Sequence, residues 1–398
     1  MSSRAVVVLS LAAFASAAAL RAPDPLLPLL AQTFGTTAGG ASAVITAFGI
    51  AYGLLQVVNG PIGDRVGKYR MVFWVTAISA AGNLACALAP SLPLLVAARF
   101  ATGATVGAIV PLAMAWIGDA VPYERRQPVL ARFLIGHMFG IALAAMASGW
   151  LGERYGWQVV FYALTALYLA IAALLWFELR TNPATAQRAG GGLTLRVSFL
   201  RMVALTRDPW VRVMLATVFL EGALLYGPLA FVAYDAHQRF GLSLGESGAL
   251  LSVFPLGGLC FALASGRLLP WIGERGVVLG GGLLAGAGFI GLALASKAAI
   301  ALPSIFAIGV GLYMLHNTLQ VHATQMAPEA RGAAVALFAC FLFTGQSTGV
   351  WLASRAVDGV GTLPAYLVSA VGLPLLALEF RRRLARRRLP VGEVKPVN

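Results

Sequence analysis

The sequence predicts an all-α membrane protein of twelve transmembrane helices in two pseudo-symmetric six-helix bundles. Three observations predict it. Of 398 residues, 59% are hydrophobic and 11% charged, with mean hydropathy +0.82, whereas a soluble domain carries about 25% charged residues. Apolar runs recur along the whole chain, most of them near the ~20 helical residues that cross a hydrocarbon core of about 30 Å. Landmarks also recur at one offset of 206: Phe34-Gly35 with Phe240-Gly241, Gly60 and Gly67 with Gly266 and Gly273, Pro122 and Arg125 with Pro328 and Arg331.

In order, the runs fall at 5–31, 41–60, 71–89, 94–118, 128–150, 157–178, 211–236, 245–266, 276–295, 300–322, 333–355 and 363–380. The first resembles a signal peptide over residues 5–20, but apolar character resumes past Arg21 and Asp24 to Leu30, which fits an uncleaved span. Pro23, Pro25 and Pro28 distort it locally. Spans 2 and 3 are joined by a short charged turn and so are antiparallel neighbours. Small-x-x-x-small pairs on later spans, Gly103/Gly107, Gly136/Gly140 and Gly282/Gly286, allow close helix packing. The predicted organisation is residues 1–178 as the first bundle, 179–210 as a linker, 211–380 as the second bundle and 381–398 as a basic tail. In the linker, Gly190-Gly191-Gly192 breaks the chain, and Leu195, Phe199, Met202 and Val203 fall near one helical face, which fits either a helix lying along the membrane surface or, equally, a solvated loop.

Orientation follows from the cations. With both termini cytoplasmic, 23 of 29 Lys and Arg fall on the inner side and four (Arg154, Arg239, Lys297, Arg355) on the other. The net charge of +14 therefore reflects membrane edges and the tail, which meets anionic headgroups. It does not indicate nucleic acid. Cys86, Cys260 and Cys340 lie singly in apolar runs and suggest neither a metal site nor a disulfide framework. No nucleotide-binding, zinc or nucleophile-elbow pattern appears, so no cofactor is expected and the chain is not read as an enzyme.

The turn Gly60-Pro61-Ile62-Gly63-Asp64-Arg65-Val66-Gly67-Lys68-Tyr69-Arg70 resembles the helix 2–3 signature of the major facilitator superfamily of secondary transporters. Arg99-x-x-x-Gly103-x-x-x-Gly107 on helix 4 is similar to its second motif. Gly156-Trp157 with Phe161, and Ala327-Pro328-Glu329-Ala330-Arg331-Gly332, add to the resemblance. Span 5 departs from the drug exporters, with Gly136-x-x-x-Gly140 but no following proline. The second 2–3-type turn has Pro270 and Trp271 in place of Asp64 and Arg65.

The resemblance implies parallel repeats that rock about a midplane site, with helices 1, 4, 7 and 10 lining the cavity. Charged residues within spans cost about 2.5–3.5 kcal/mol each on insertion scales, which singles out Arg21, Asp24 and Glu221. Arg21 and Asp24 are spaced to pair. Glu221 has no cation near it in sequence and is expected to exchange a proton, with Tyr226 a turn beyond. His137, His316, Asn317, Gln320 and Gln346 are further pathway candidates, with Gln56 and Asn59 on span 2. Asp64 is expected at the N-terminus of helix 11 near Gly332, as a latch closing the cytoplasmic side. Arg65, Lys68 and Arg70 would hold the turn at headgroups.

The resulting expectation is a secondary active transporter of a bacterial inner membrane, a functional monomer moving a small molecule by proton-coupled export. The alternative is proton-coupled uptake or exchange of a small organic acid through Arg21. A membrane enzyme or a receptor on the same scaffold is a remote third reading.

Overall fold

The computed structural model describes residues 3–185, 195–327 and 330–386. Helices and turns make up these residues. Ten helical runs are long and apolar enough to cross a membrane, and the pair Ala38–Leu54 and Gln56–Val66, bent by 52°, makes an eleventh. The run Leu244–Leu294 holds 51 residues, about 77 Å of helix at 1.5 Å per residue, far more than one crossing. Its backbone leaves the helical region at Gly273 (φ 69°, ψ 167°). That residue divides the run and brings the spans to twelve.

Span 1 is Ser3–Arg21, the 3-10 turn Asp24–Leu26, and Leu27–Phe34. Pro23 and Pro25 remove two backbone donors, so the helix breaks between its two charged residues. Span 2 runs Ala38–Ala41, Ala43–Leu54 and Gln56–Val66; span 3 is Lys68–Ala87; span 4 is Leu92–Val106 with Ile109–Ala120. Spans 5 and 6 are Tyr123–Tyr155 and Trp157–Thr181. Span 7 is Pro209–Leu229, broken after Pro228, then Val232–Phe240. Span 8 opens with Leu244–Leu251 and continues in Val253–Leu294 to Gly273, and span 9 is the remainder. Spans 10, 11 and 12 are Ala298–Gln325, Arg331–Val360 and Leu363–Arg386. The spans overrun the apolar segments by several residues. Thr37, Asp208 and Ser243 cap N-termini through their side chains.

All six positive-φ residues described are glycines: Gly35, Gly67, Gly156, Gly241, Gly273 and Gly361. Gly35 pairs with Gly241 and Gly67 with Gly273 at the offset of 206, and Gly156 with Gly361 at 205. A left-handed turn favours glycine, so the two halves reverse direction at equivalent points.

An even number of spans places both described chain ends on one face, here the terminal face; the opposite side is the far face. The halves meet where span 2 packs on span 11 and span 5 on span 8. The linker helix Leu195–Leu205 packs on spans 2 and 11. Its expected apolar face is split: Met202 is buried, while Phe199 and Val203 are exposed alongside Val197 and Leu200. The side chain of Leu195, the Gly190–Gly192 run, the Pro328-Glu329 step and the tail from 387 onward lie outside the described residues.

Candidate functional site

The break in span 1 sets the first pair. Arg21 ends one helix and Asp24 opens the next turn, and Arg21 Nη1 donates to Asp24 Oδ2 at 3.2 Å. Both are buried, Asp24 completely. The second carboxylate oxygen, Oδ1, has no partner in the structure. A buried acceptor without a partner is costly, and here it borders a small gap. The gap is walled by Ile141 and Ala145 of span 5 and by Leu229, Leu251 and Phe254 of spans 7 and 8. The Arg21 guanidinium also lies 4.7 Å from the centre of the Tyr226 ring, a cation–π distance. Tyr226 therefore joins span 1 of one half to span 7 of the other.

One turn before Tyr226, Glu221 is completely buried. Its Oε2 is 2.8 Å from Nδ1 of His316 on span 10, while Oε1 is unpartnered. A carboxylate and an imidazole in one hydrogen bond share a proton, and imidazole titrates near neutrality in water. The absence of a cation near Glu221 in sequence thus did not mean the absence of a partner. The two are 95 residues apart, and no local pattern links them.

The other candidates divide. Gln346 is buried on span 11, beside the close approach of Gly222 to that span. His137 is set against the Ala13 backbone of span 1, and its Nδ1 is unpartnered. Asn317 and Gln320, on the same helix as His316, are exposed. Gln56 and Asn59 are buried, and Gln56 Nε2 donates to Gly107 O at 2.9 Å. Arg99 packs between spans: Nε donates to Val44 O at 3.3 Å, and its guanidinium lies 3.9 Å from the Phe48 ring centre. Its residues a turn and two turns on, Gly103 and Gly107, admit the span 2 backbone at Phe48 and Tyr52.

In this far-face-closed state the 2–3 turn makes its contacts within its own half. Asp64 is half exposed and pairs with Lys68 at 3.4 Å; Lys68 also bonds Asp119 at the end of span 4. A Cβ on Gly332 would have open space around it, and the Asp64 carboxylate is spent within its own half. Gly67, at φ 97°, makes the reversal, Gly63 packs against Leu112, and Gly60 has open space. Arg65 and Arg70 are exposed.

Two further facts describe the state. Side-chain hydrogen bonds between the halves cluster toward the far face: Thr37 and Gly39 with Asp358, Gly245 with Glu153, and Ser252 with Ala142. On the terminal side of Arg21, a cavity of about 350 Å³ is lined by Val6, Val7, Ser10, Leu11, Phe14, Val129, Arg132 and Gly136.

Comparison with known proteins agrees with this geometry. The Major Facilitator Superfamily profile matches residues 9–350. The uncharacterized MFS-type transporter YceJ of Bacillus subtilis (strain 168) is 25% identical over 348 residues, 83% of each chain. The multidrug export protein EmrB of Escherichia coli (strain K12) is 24% identical over 182 residues, 46% of this chain and 36% of EmrB. A crystal structure of a variant of the peptide transporter POT has the same fold, with a TM-score of 0.79 at 16% identity, covering 96% of this chain and 94% of that one.

Proposed function

The chain belongs to the Major Facilitator Superfamily, and from that premise we propose a proton-coupled exporter of a small molecule in a bacterial inner membrane, with both termini cytoplasmic. The observation that carries the coupling is the buried Glu221–His316 hydrogen bond of 2.8 Å. It joins spans 7 and 10 close to Tyr226 and the Arg21–Asp24 pair, so a proton arriving there bears on the groups between the two halves. Rocking of the halves about this layer exposes it to one side and then the other.

Arg21, Asp24 and Glu221 sum to −1 with the histidine neutral, which suits a cationic or zwitterionic substrate. Arg21 is already committed to Asp24 and Tyr226, and this speaks against a simple anion site. The export direction draws support from the match to EmrB, whose name is that of a multidrug export protein.

The test is flux in proteoliposomes with and without an imposed pH gradient, alongside substrate binding, at matched reconstitution. Substrates come first from a thermal-shift screen of metabolites and drugs. Glu221→Gln is expected to abolish gradient-driven flux and retain binding. Wild-type proton-driven flux in this variant would remove Glu221 from the coupling role and leave His316 or His137 as the next candidate.

A further inference from the structure

The far-face contacts between the halves come as a related pair. On one side, Asp358 stands two residues before the end of span 11. Its Oδ2 accepts from Thr37 Oγ1 at 2.7 Å and its Oδ1 from the backbone N–H of Gly39 at 2.8 Å. Thr37 is the N-cap of span 2, and Gly39 is the second residue of its first turn. On the other side, Glu153 stands two residues before the end of span 5. Its Oε2 accepts from the backbone N–H of Gly245 at 3.2 Å. Ser243 is the N-cap of span 8, and Gly245 is again the second residue.

Thr37 and Ser243, and Gly39 and Gly245, are each 206 apart; Asp358 and Glu153 are 205 apart, the offset of the glycines that follow them. The same device is thus built twice. A carboxylate at the far end of one half is seated on the N-terminus of a span in the other half, where free N–H groups and the helix dipole attract negative charge.

We propose that Asp358 and Glu153 are paired gate latches that hold the far face closed, and that both must release before the transporter opens there. The two are unequal. Asp358 accepts two hydrogen bonds, and a Cβ on Gly39 would collide with its carboxylate. Glu153 accepts one longer bond, beside the tighter backbone packing of Gly149 and Gly248. Asp358 therefore carries more of the closure. Both carboxylates are exposed, so their removal leaves the core intact. The proposal rests on the alternating-access reading, and the experiment separates the two.

Spin labels at Thr33→Cys and Val360→Cys, in a background without the three native cysteines, report the far-face distance between halves in lipid nanodiscs. Labelling of Val7→Cys reports the cavity on the terminal side. Wild type is expected to exchange between short and long far-face distances. Asp358→Ala should shift the ratio toward the long distance, on the order of fivefold, and slow labelling at position 7. Gly39→Ala should act in the same direction by displacing the carboxylate with its charge intact. Glu153→Gln should shift the ratio less. Melting temperatures within experimental error of wild type would exclude a purely structural effect. A wild type that exchanges, with Asp358→Ala and Gly39→Ala populations equal to its own, overturns the latch alone. A wild type fixed in one distance under every condition overturns alternating access with it.

Discussion

At the scale of residues, the site is a set of charges whose positions were legible and whose partners were only half so. Arg21 and Asp24 are near in sequence, and their pairing could be read from spacing. Glu221 and His316 were each visible as an expensive group in an apolar span, but their contact depends on how spans 7 and 10 pack. Asp358 and Glu153 carried no signal at all, being charged residues at span ends, where charge is ordinary. Asp24→Asn should be more damaging than Glu221→Gln. It leaves the Arg21 guanidinium buried beside a neutral amide, and removing one partner of a buried ion pair costs about 3–5 kcal/mol. Binding, flux and melting temperature are all expected to fall together for Asp24→Asn. Normal melting with normal binding would show that Arg21 is held by Tyr226 alone.

Among elements, hydropathy located the twelve spans, while turn chemistry set their ends. Glycine marked the reversals well, as at Gly67 and Gly273, because left-handed backbone admits few other residues. Internal breaks were harder to see. The prolines announced the one in span 1, but the bend at Leu55 in span 2 has no proline at its corner. With the far face closed, Asp64 pairs with Lys68 one turn on, and its expected contact with helix 11 belongs to the opposite state. The helix 4 motif has a plain structural duty, since a Cβ on Gly103 would lie 2.9 Å from Phe48 Cα. Gly103→Leu should therefore lower stability in detergent by about 1–3 kcal/mol or more. Gly60→Ala, with open space around it, should be neutral or slightly stabilising, since Ala outranks Gly in helices by about 1 kcal/mol. Thermal melts of the two variants side by side check this; equal losses would mean that the Gly103 contact is not close-packed.

For the whole molecule, the cation bias makes a topological prediction. Gly190→Cys and Lys395→Cys, placed singly in a cysteine-free background, should resist an impermeant maleimide added to right-side-out vesicles and react after permeabilisation. Ready labelling of either from outside would reverse the orientation and, with it, the direction in which the 350 Å³ cavity opens. Composition and repeat made the architecture legible, whereas the conformational state depends on contacts between residues more than 90 positions apart. The paired positive-φ glycines carry a last consequence. Duplication of a six-helix ancestor leaves two copies free to diverge in chemistry but not in the places where the chain must turn left-handed. Pro270 and Trp271 have replaced Asp64 and Arg65 in the second 2–3-type turn, and the far-face carboxylates now differ in length, yet all three glycine pairs persist. The repeat is therefore held most strictly in backbone torsion, and the two halves are best superposed turn on turn before a single side chain is compared.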